Sequence, residues 1–110
     1  MTVIIFQKSK QGEYKGFHCQ GHAEYSKRGK PDIVCAAISM LVINTLNSLE
    51  ELCHTSMNVD DDEDSGMIKC VFENSLSERE SILMESLEFG LRNVEKEYGT
   101  KYCKVKFEEV

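Results

Sequence analysis

Between Ile33 and Leu52 the chain is apolar at almost every position as far as Asn44. Read as a helix, this stretch would run about 30 Å, enough to cross a small domain from end to end. Asp32 stands just before it, and an aspartate there is a good N-cap because its carboxylate accepts the free N–H groups of the first turn. A helix that is apolar all round is expected in the centre of a fold. The rest of the 110 residues must then supply the surfaces that cover it.

Those surfaces read mainly as strands. Thr2 to Gln7 is β-branched or aromatic at Val3, Ile4, Ile5 and Phe6, and a polar segment with Gly12 suggests a hairpin turn to a second strand at Tyr14 to Gly21. Alternation places Tyr14, Gly16, His18 and Gln20 on one face, with Lys15, Phe17, Cys19 and Gly21 on the other. His54 to Val59 is a weaker third strand, Asp60 to Asp64 with Ser65 and Gly66 an acidic turn, and Met67 to Glu73 a fourth strand. Ser77 with Glu80 fits a capping box. The helix it opens puts Leu83, Leu87, Leu91, Val94 and Tyr98 on one stripe and ends at Gly99. Tyr102 to Phe107 closes the chain as a strand, with Cys103, Val105 and Phe107 facing inward. The expectation is an α+β fold in the order β-β-α-β-β-α-β, a mostly antiparallel or mixed sheet packed with two helices, the first helix central. Residues 1–110 then form a single domain, and Thr2–Gln7 and Tyr102–Phe107 are its candidate open sheet edges.

Composition narrows the function. At this length roughly two-thirds of the unfolded surface can be buried, so a core needs neither disulfides nor metals. Apolar residues are 41% and charged residues 29% of the chain, a globular balance. No unbroken apolar run approaches ~18 residues and no charged-then-apolar leader opens the chain, so a soluble, untargeted protein with no membrane association is expected. The net charge of −6 argues against direct RNA binding, which depends on Lys and Arg neutralising phosphates. Lys27, Arg28 and Lys30 in one loop do not reverse that balance. Five scattered cysteines, Cys19, Cys35, Cys53, Cys70 and Cys103, include no CxxC pair and fit a reducing cytosol better than a disulfide framework.

Chemistry concentrates between Gly21 and Ser39. His22 falls at a strand end, and Cys35 falls at the N3 position of the long helix if Asp32 caps it. There the helix dipole favours negative charge, and thiolates at helix N-termini or beside an imidazolium are activated nucleophiles. A neighbouring imidazole would complete a nucleophile and base, and the first-turn amides would serve a developing oxyanion. The bland reading stands beside this: a cysteine next to two alanines in an apolar helix is ordinary packing, and a strand-end histidine is ordinary surface.

The run Gly21-His22-Ala23, a short loop with Gly29, and then Asp32-Ile33-Val34-Cys35-Ala36-Ala37-Ile38-Ser39 resembles the two motifs of the ribosomal-processing cysteine proteases (Prp). That family pairs a GHA element at a strand end with G-x-D-I-V-C-A-A-x-S at the start of a central helix, and the resemblance covers the whole chain. It implies a Cys/His peptidase with His22 and Cys35 as the dyad, Asp32 and Ser39 in support, and Gly21, Ala23, Gly29, Lys30 and Pro31 in a mobile substrate loop. It further implies removal of the N-terminal extension of large-subunit ribosomal protein twenty-seven, a basic ribosomal protein precursor cut after an aromatic pair, and a homodimer without cofactors. Between Gly29 and Asp32 this chain carries Lys30 and Pro31 where the family pattern has one residue.

Other patterns are weaker. Taking Gly66 as the glycine of a calcium loop would place Phe72 where a glutamate is required, so the acidic run reads as a solvated hairpin tip. Cys19 and His22, three apart on an extended segment, should face opposite sides, and Cys53–His54 does not easily close a tetrahedral zinc site. No metal is expected. Cys53, Cys70 and Cys103 read as core, and His18 as an exposed strand residue. The competing function is a non-catalytic ribosome-associated or assembly-factor protein that binds a peptide without cutting it.

Overall fold

The structure, a computed structural model, describes residues 1–27 and 30–110. Arg28 and Gly29, assigned above to the basic and substrate loop, lie outside the described residues. Among the described residues seven elements follow in the expected order: β1 (Thr2–Lys8), β2 (Tyr14–Gln20), α1 (Ile33–Cys53), β3 (Met57–Asp62), β4 (Met67–Phe72), α2 (Glu78–Tyr98) and β5 (Cys103–Glu109). They form an α+β fold with one mixed five-stranded sheet, in the order β3-β4-β2-β1-β5. Among the described residues only β1 and β5 run parallel. Strand β1 is therefore interior, and the edges are β3 and β5. The expectation of an open edge at Thr2–Gln7 is corrected: the crossover through α2 returns the chain alongside β1.

Both helices pack against each other and the same face of the sheet. Ile4, Phe6, Phe17, Cys70 and Cys103 project from the strands to meet Val34, Val42 and Leu49 of α1 and Met84, Leu87 and Leu91 of α2. Each fully buried large side chain contributes roughly 1.5–3 kcal/mol, and this shared layer is the main term holding the fold. Both helix starts follow local sequence signals. Asp32 caps α1, accepting from the Val34 and Cys35 amides, and Ser77 and Glu80 form the reciprocal capping box of α2. Gly99 ends α2 at φ +103°.

Further expectations change. α1 is not enclosed on all sides. Val34, Ile38, Val42, Thr45 and Leu49 are buried, but Ile33, Ile43, Leu52 and Met40 (67% exposed) face outward because only one side of α1 meets the sheet and α2. The same helix carries an 18-residue window of mean hydropathy 1.6, long and apolar enough by those measures to cross a membrane. Asn44, Thr45, Asn47 and Ser48 interrupt the stretch, so the window contains no unbroken apolar run of that length.

Tyr14 lies on the helix face, not with His18. Lys8 pairs with Tyr14 while Gln7 pairs with Gly16, so Lys15 is an extra residue whose bulge inverts the alternation. The Tyr14 ring meets Phe6 edge-on at 6.0 Å, and its hydroxyl donates to Glu88 at 2.7 Å. Phe107 is 64% exposed, because edge strand β5 extends past the cover that buries Cys103 and Val105. Asp60, Asp61 and Asp62 belong to β3, not to the turn, since pairing with Lys69, Ile68 and Met67 outweighs the low strand propensity of aspartate.

Candidate active site

The strand β2 ends at Gln20, and Gly21 turns the chain at φ +94°. A Cβ on Gly21 would collide with the Met1 carbonyl oxygen, so glycine is required twice, by conformation and by contact. This turn sends His22 off the strand. His22 and Cys19 consequently line the same cavity rather than opposite sides, because extended alternation stops at Gly21.

The segment from Ala23 to Asp32 joins β2 to α1 and is tied at several points. Ala23, expected in the substrate loop, is only 1% exposed and packs into the core. The Tyr25 ring meets Tyr98 and Tyr102 edge-on at 5.5 and 5.0 Å. The Ser26 hydroxyl donates to the Pro31 carbonyl at 2.7 Å. Lys30 and Pro31 are exposed, and neither lines the cavity.

Asp32 joins this segment to the helix. Its Oδ1 accepts from the amides of Val34 and Cys35 at 3.1 and 3.0 Å, and its Oδ2 accepts from the Tyr25 amide at 2.9 Å. Desolvation opposes the charge, but the backbone N–H groups of Cys35, Tyr25, Ser26 and Val34 outweigh it and hold the carboxyl below the usual range. Cys35 thus occupies N3. The Val34 and Cys35 amides, expected to serve an oxyanion, are instead taken by the cap.

Cys35 is half-buried and opens with His22 on a cavity of about 270 Å3. Ser39, one helical turn beyond Cys35, and Gly21 also line it. The opposite wall comes from the β3–β4 hairpin: Asp61, Asp62, Glu63, Gly66 and Ile68. The sequence reading missed these hairpin residues as part of the site. The acidic run with Gly66 was visible, but nothing local indicated that its tip folds back onto the end of β2. His22 is exposed; its Nε2 lies 3.5 Å from the Asp64 carbonyl oxygen. Among the described residues His22 and Cys35 share no hydrogen bond, a common state for paired groups before substrate arrives.

Three of the other four thiols, Cys19, Cys70 and Cys103, are buried where Cys35 is half-buried. Burial pushes Cys19 and Cys70 up to about 12 and Cys103 up to about 11. Cys53, expected in the core, is half-buried because it sits in the last turn of α1. His18 lies half-buried in β2, opposite Ile5 and Lys69 and away from the cavity. Cys53 and His54 lie at the far end of α1 from Cys35. Among the described residues, no three His, Cys, Asp or Glu side chains cluster as a metal site.

A half-buried thiol in the first turn of a helix, lining one cavity with an imidazole, is an arrangement compatible with thiol-hydrolase chemistry. The sequence pattern of the cysteine protease Prp family matches residues 1–104, and the chain belongs to that family. It is a cysteine protease. It is 28% identical, over 89% of its length and 90% of the relative's, to the ribosomal processing cysteine protease Prp of Bacillus subtilis. Its fold matches the crystal structure of SMU.848 from Streptococcus mutans, with TM-score 0.84 and 28% identity over 100% of this chain and 99% of that one. It also matches the essential ribosomal processing protease Prp from S. aureus in complex with a covalently linked product peptide. That likeness has TM-score 0.90 and 18% identity, covering 98% of this chain and 100% of that one.

Proposed function

We propose that the chain is a cytoplasmic endopeptidase that removes the N-terminal extension of large-subunit ribosomal protein twenty-seven during ribosome maturation, as a single Prp-like domain spanning residues 1–110. The carrying observation is that Cys35, held at N3 by the Asp32 cap, and His22 open on one cavity. In this reading His22 takes the Cys35 thiol proton and the thiolate sulfur bonds to the scissile carbonyl carbon. The C–N bond then breaks as His22 returns the proton to the leaving amine. Water, deprotonated by His22, cleaves the thioester and restores the thiol. Asp32 sets where the thiol points, and Ser39 supplies a hydroxyl to the cavity wall. Gly21 shapes the cavity, while Ala23 anchors the connecting loop. No cofactor enters this chemistry.

The substrate proposed is a basic ribosomal protein precursor, supported by the acidic hairpin wall of the cavity and the chain's net charge of −6. The same charge argues against direct RNA binding. A homodimer is proposed as well, with the outward apolar residues Ile33 and Met40 of α1 as the surface available to a second copy. Sedimentation as a monomer at micromolar concentration would count against it.

The test incubates the precursor with wild type, Cys35→Ala, Cys35→Ser and His22→Ala, and reads the products by mass spectrometry. Cleavage by wild type and loss in all three variants is expected. An uncut precursor with folded wild type would favour a ribosome-associated binding protein that shapes a peptide groove without cutting it.

A further inference from the structure

We propose that the β3–β4 hairpin tip is the positioning element of the His22 imidazole, with the backbone carbonyl of Asp64 as third member of the Cys35–His22 system. The proposal rests on His22 acting as the base. A carbonyl oxygen can only accept, so a hydrogen bond across the 3.5 Å Nε2 contact requires the tautomer with its proton on Nε2. That leaves the Nδ1 lone pair to take the Cys35 proton. A base oriented by a third group is the recurring logic of nucleophilic sites.

Gly66 supplies the second, independent observation. It sits at φ +67°, and a Cβ there would lie 2.9 Å from His22 Cε1 and 2.7 Å from the Gly21 carbonyl oxygen. The tip backbone is thus packed directly on the imidazole and on the turn that launches it, at a distance only glycine permits. The tip has its own internal brace: Asp62 Oδ1 accepts from the Asp64 amide at 3.1 Å, and the Gly66 amide donates to the Glu63 carbonyl at 3.3 Å. Asp62 therefore sets the position of Asp64, the residue whose carbonyl faces His22.

Gly12 provides a matched control. It lies in the β1–β2 turn at φ +86°, with nothing within 4 Å of where a Cβ would stand. Gly12→Ala carries the left-handed backbone penalty without touching His22. The experiment compares Gly66→Ala and Gly12→Ala in the full chain by Tm, by kcat and KM on the precursor peptide, and by 15N NMR of the imidazole tautomers. Both variants should lose Tm. Only Gly66→Ala should lose kcat, by about 10–100-fold with little change in KM, the scale of an angstrom-sized misplacement. Only Gly66→Ala should shift the ring away from the Nε2–H form.

A second pair covers failure of Gly66→Ala to fold. Asp62→Ala removes the brace and should lower kcat; Asp62→Asn loses the same wall charge but keeps the accepting Oδ1, so its loss of kcat should be clearly smaller. Equal kcat and equal tautomer spectra in Gly66→Ala and Gly12→Ala, or equal losses in Asp62→Ala and Asp62→Asn, would overturn the proposal. If wild type fails to cut at all, the protease reading falls. The tautomer comparison still decides whether the hairpin orients the ring.

Discussion

The Cys35 amide donates to the Asp32 carboxylate at 3.0 Å, so the residue that starts α1 also sets the residue that carries the half-buried cavity thiol. The second oxygen of that carboxylate takes the Tyr25 amide, which ties the loop from β2 to the same point. One side chain therefore couples helix start, loop path and thiol direction.

Asp32→Ala should remove this coupling. Loss of the cap costs about 1 kcal/mol, roughly 4–8 °C of Tm in a chain of this size. Cleavage should fall further than stability explains, because Cys35 and the loop both lose their anchor. Asp32→Asn keeps an accepting oxygen toward α1 and should recover most of the Tm. Thermal melts and kcat/KM on the same preparations check both statements.

Thiol alkylation should separate the cysteines by environment. Cys19, Cys70 and Cys103 are buried with thiols pushed up to about 12, 12 and 11, and should react only on unfolding. Cys35 and Cys53 are both half-buried, which makes Cys53 the informative comparison. Cys35, at a helix N-terminus, should react at least several-fold faster than Cys53, at a helix C-terminus. Peptide mapping of iodoacetamide adducts over time gives the ratio, and equal rates would argue against an activated Cys35.

Acid stability should depend on Glu88. Desolvation raises its pKa, but hydrogen bonds from Tyr14, Lys8 and Arg92 outweigh this and hold the carboxyl below its ordinary 4.5. The Lys8 ammonium lies at 2.9 Å and the Tyr14 hydroxyl at 2.7 Å. A depressed folded-state pKa means the stabilisation is complete above about pH 4.5 and is lost as pH falls toward the folded value. Glu88→Gln should cost about 1–2 kcal/mol at pH 7, with the gap to wild type narrowing on acidification below pH 4.5. Urea midpoints across pH 3 to 7 measure it; a constant gap would exclude the carboxylate as the cause.

Salt should slow cleavage of a basic precursor peptide. Asp61 and Glu63 line the cavity from the hairpin side, and exposed charges act over about a Debye length, near 10 Å at 0.1 M salt. kcat/KM should drop as ionic strength rises, chiefly through KM. Asp61→Asn with Glu63→Gln should flatten that dependence. A salt-independent wild type would remove electrostatic attraction from the account.

Features governed by neighbours in the chain are legible in the sequence. Asp32 with its apolar run, Ser77 with Glu80, and Gly99 after Tyr98 each mark a helix end through contacts within a few residues. The Gly21-His22-Ala23 and Asp32-to-Ser39 motifs point to the same cavity from both sides. Features governed by distant pairing are not legible there. The Lys15 bulge turns Tyr14 toward α2 because of what β1 requires, and β4 draws Asp60 to Asp62 into a strand.

The sequence by itself determined the order of elements, both helix caps, the placement of Cys35 at N3 and the departure of His22 from a strand, because short-range hydrogen bonding and backbone sterics decide these. Tertiary structure alone decided that Cys19 and His22 share a cavity, that α1 keeps one apolar side outward, and that Gly66 and Asp64 abut His22. Those contacts join segments more than forty residues apart in the hairpin's case. Their energy comes from sheet pairing and core packing, which no local pattern encodes.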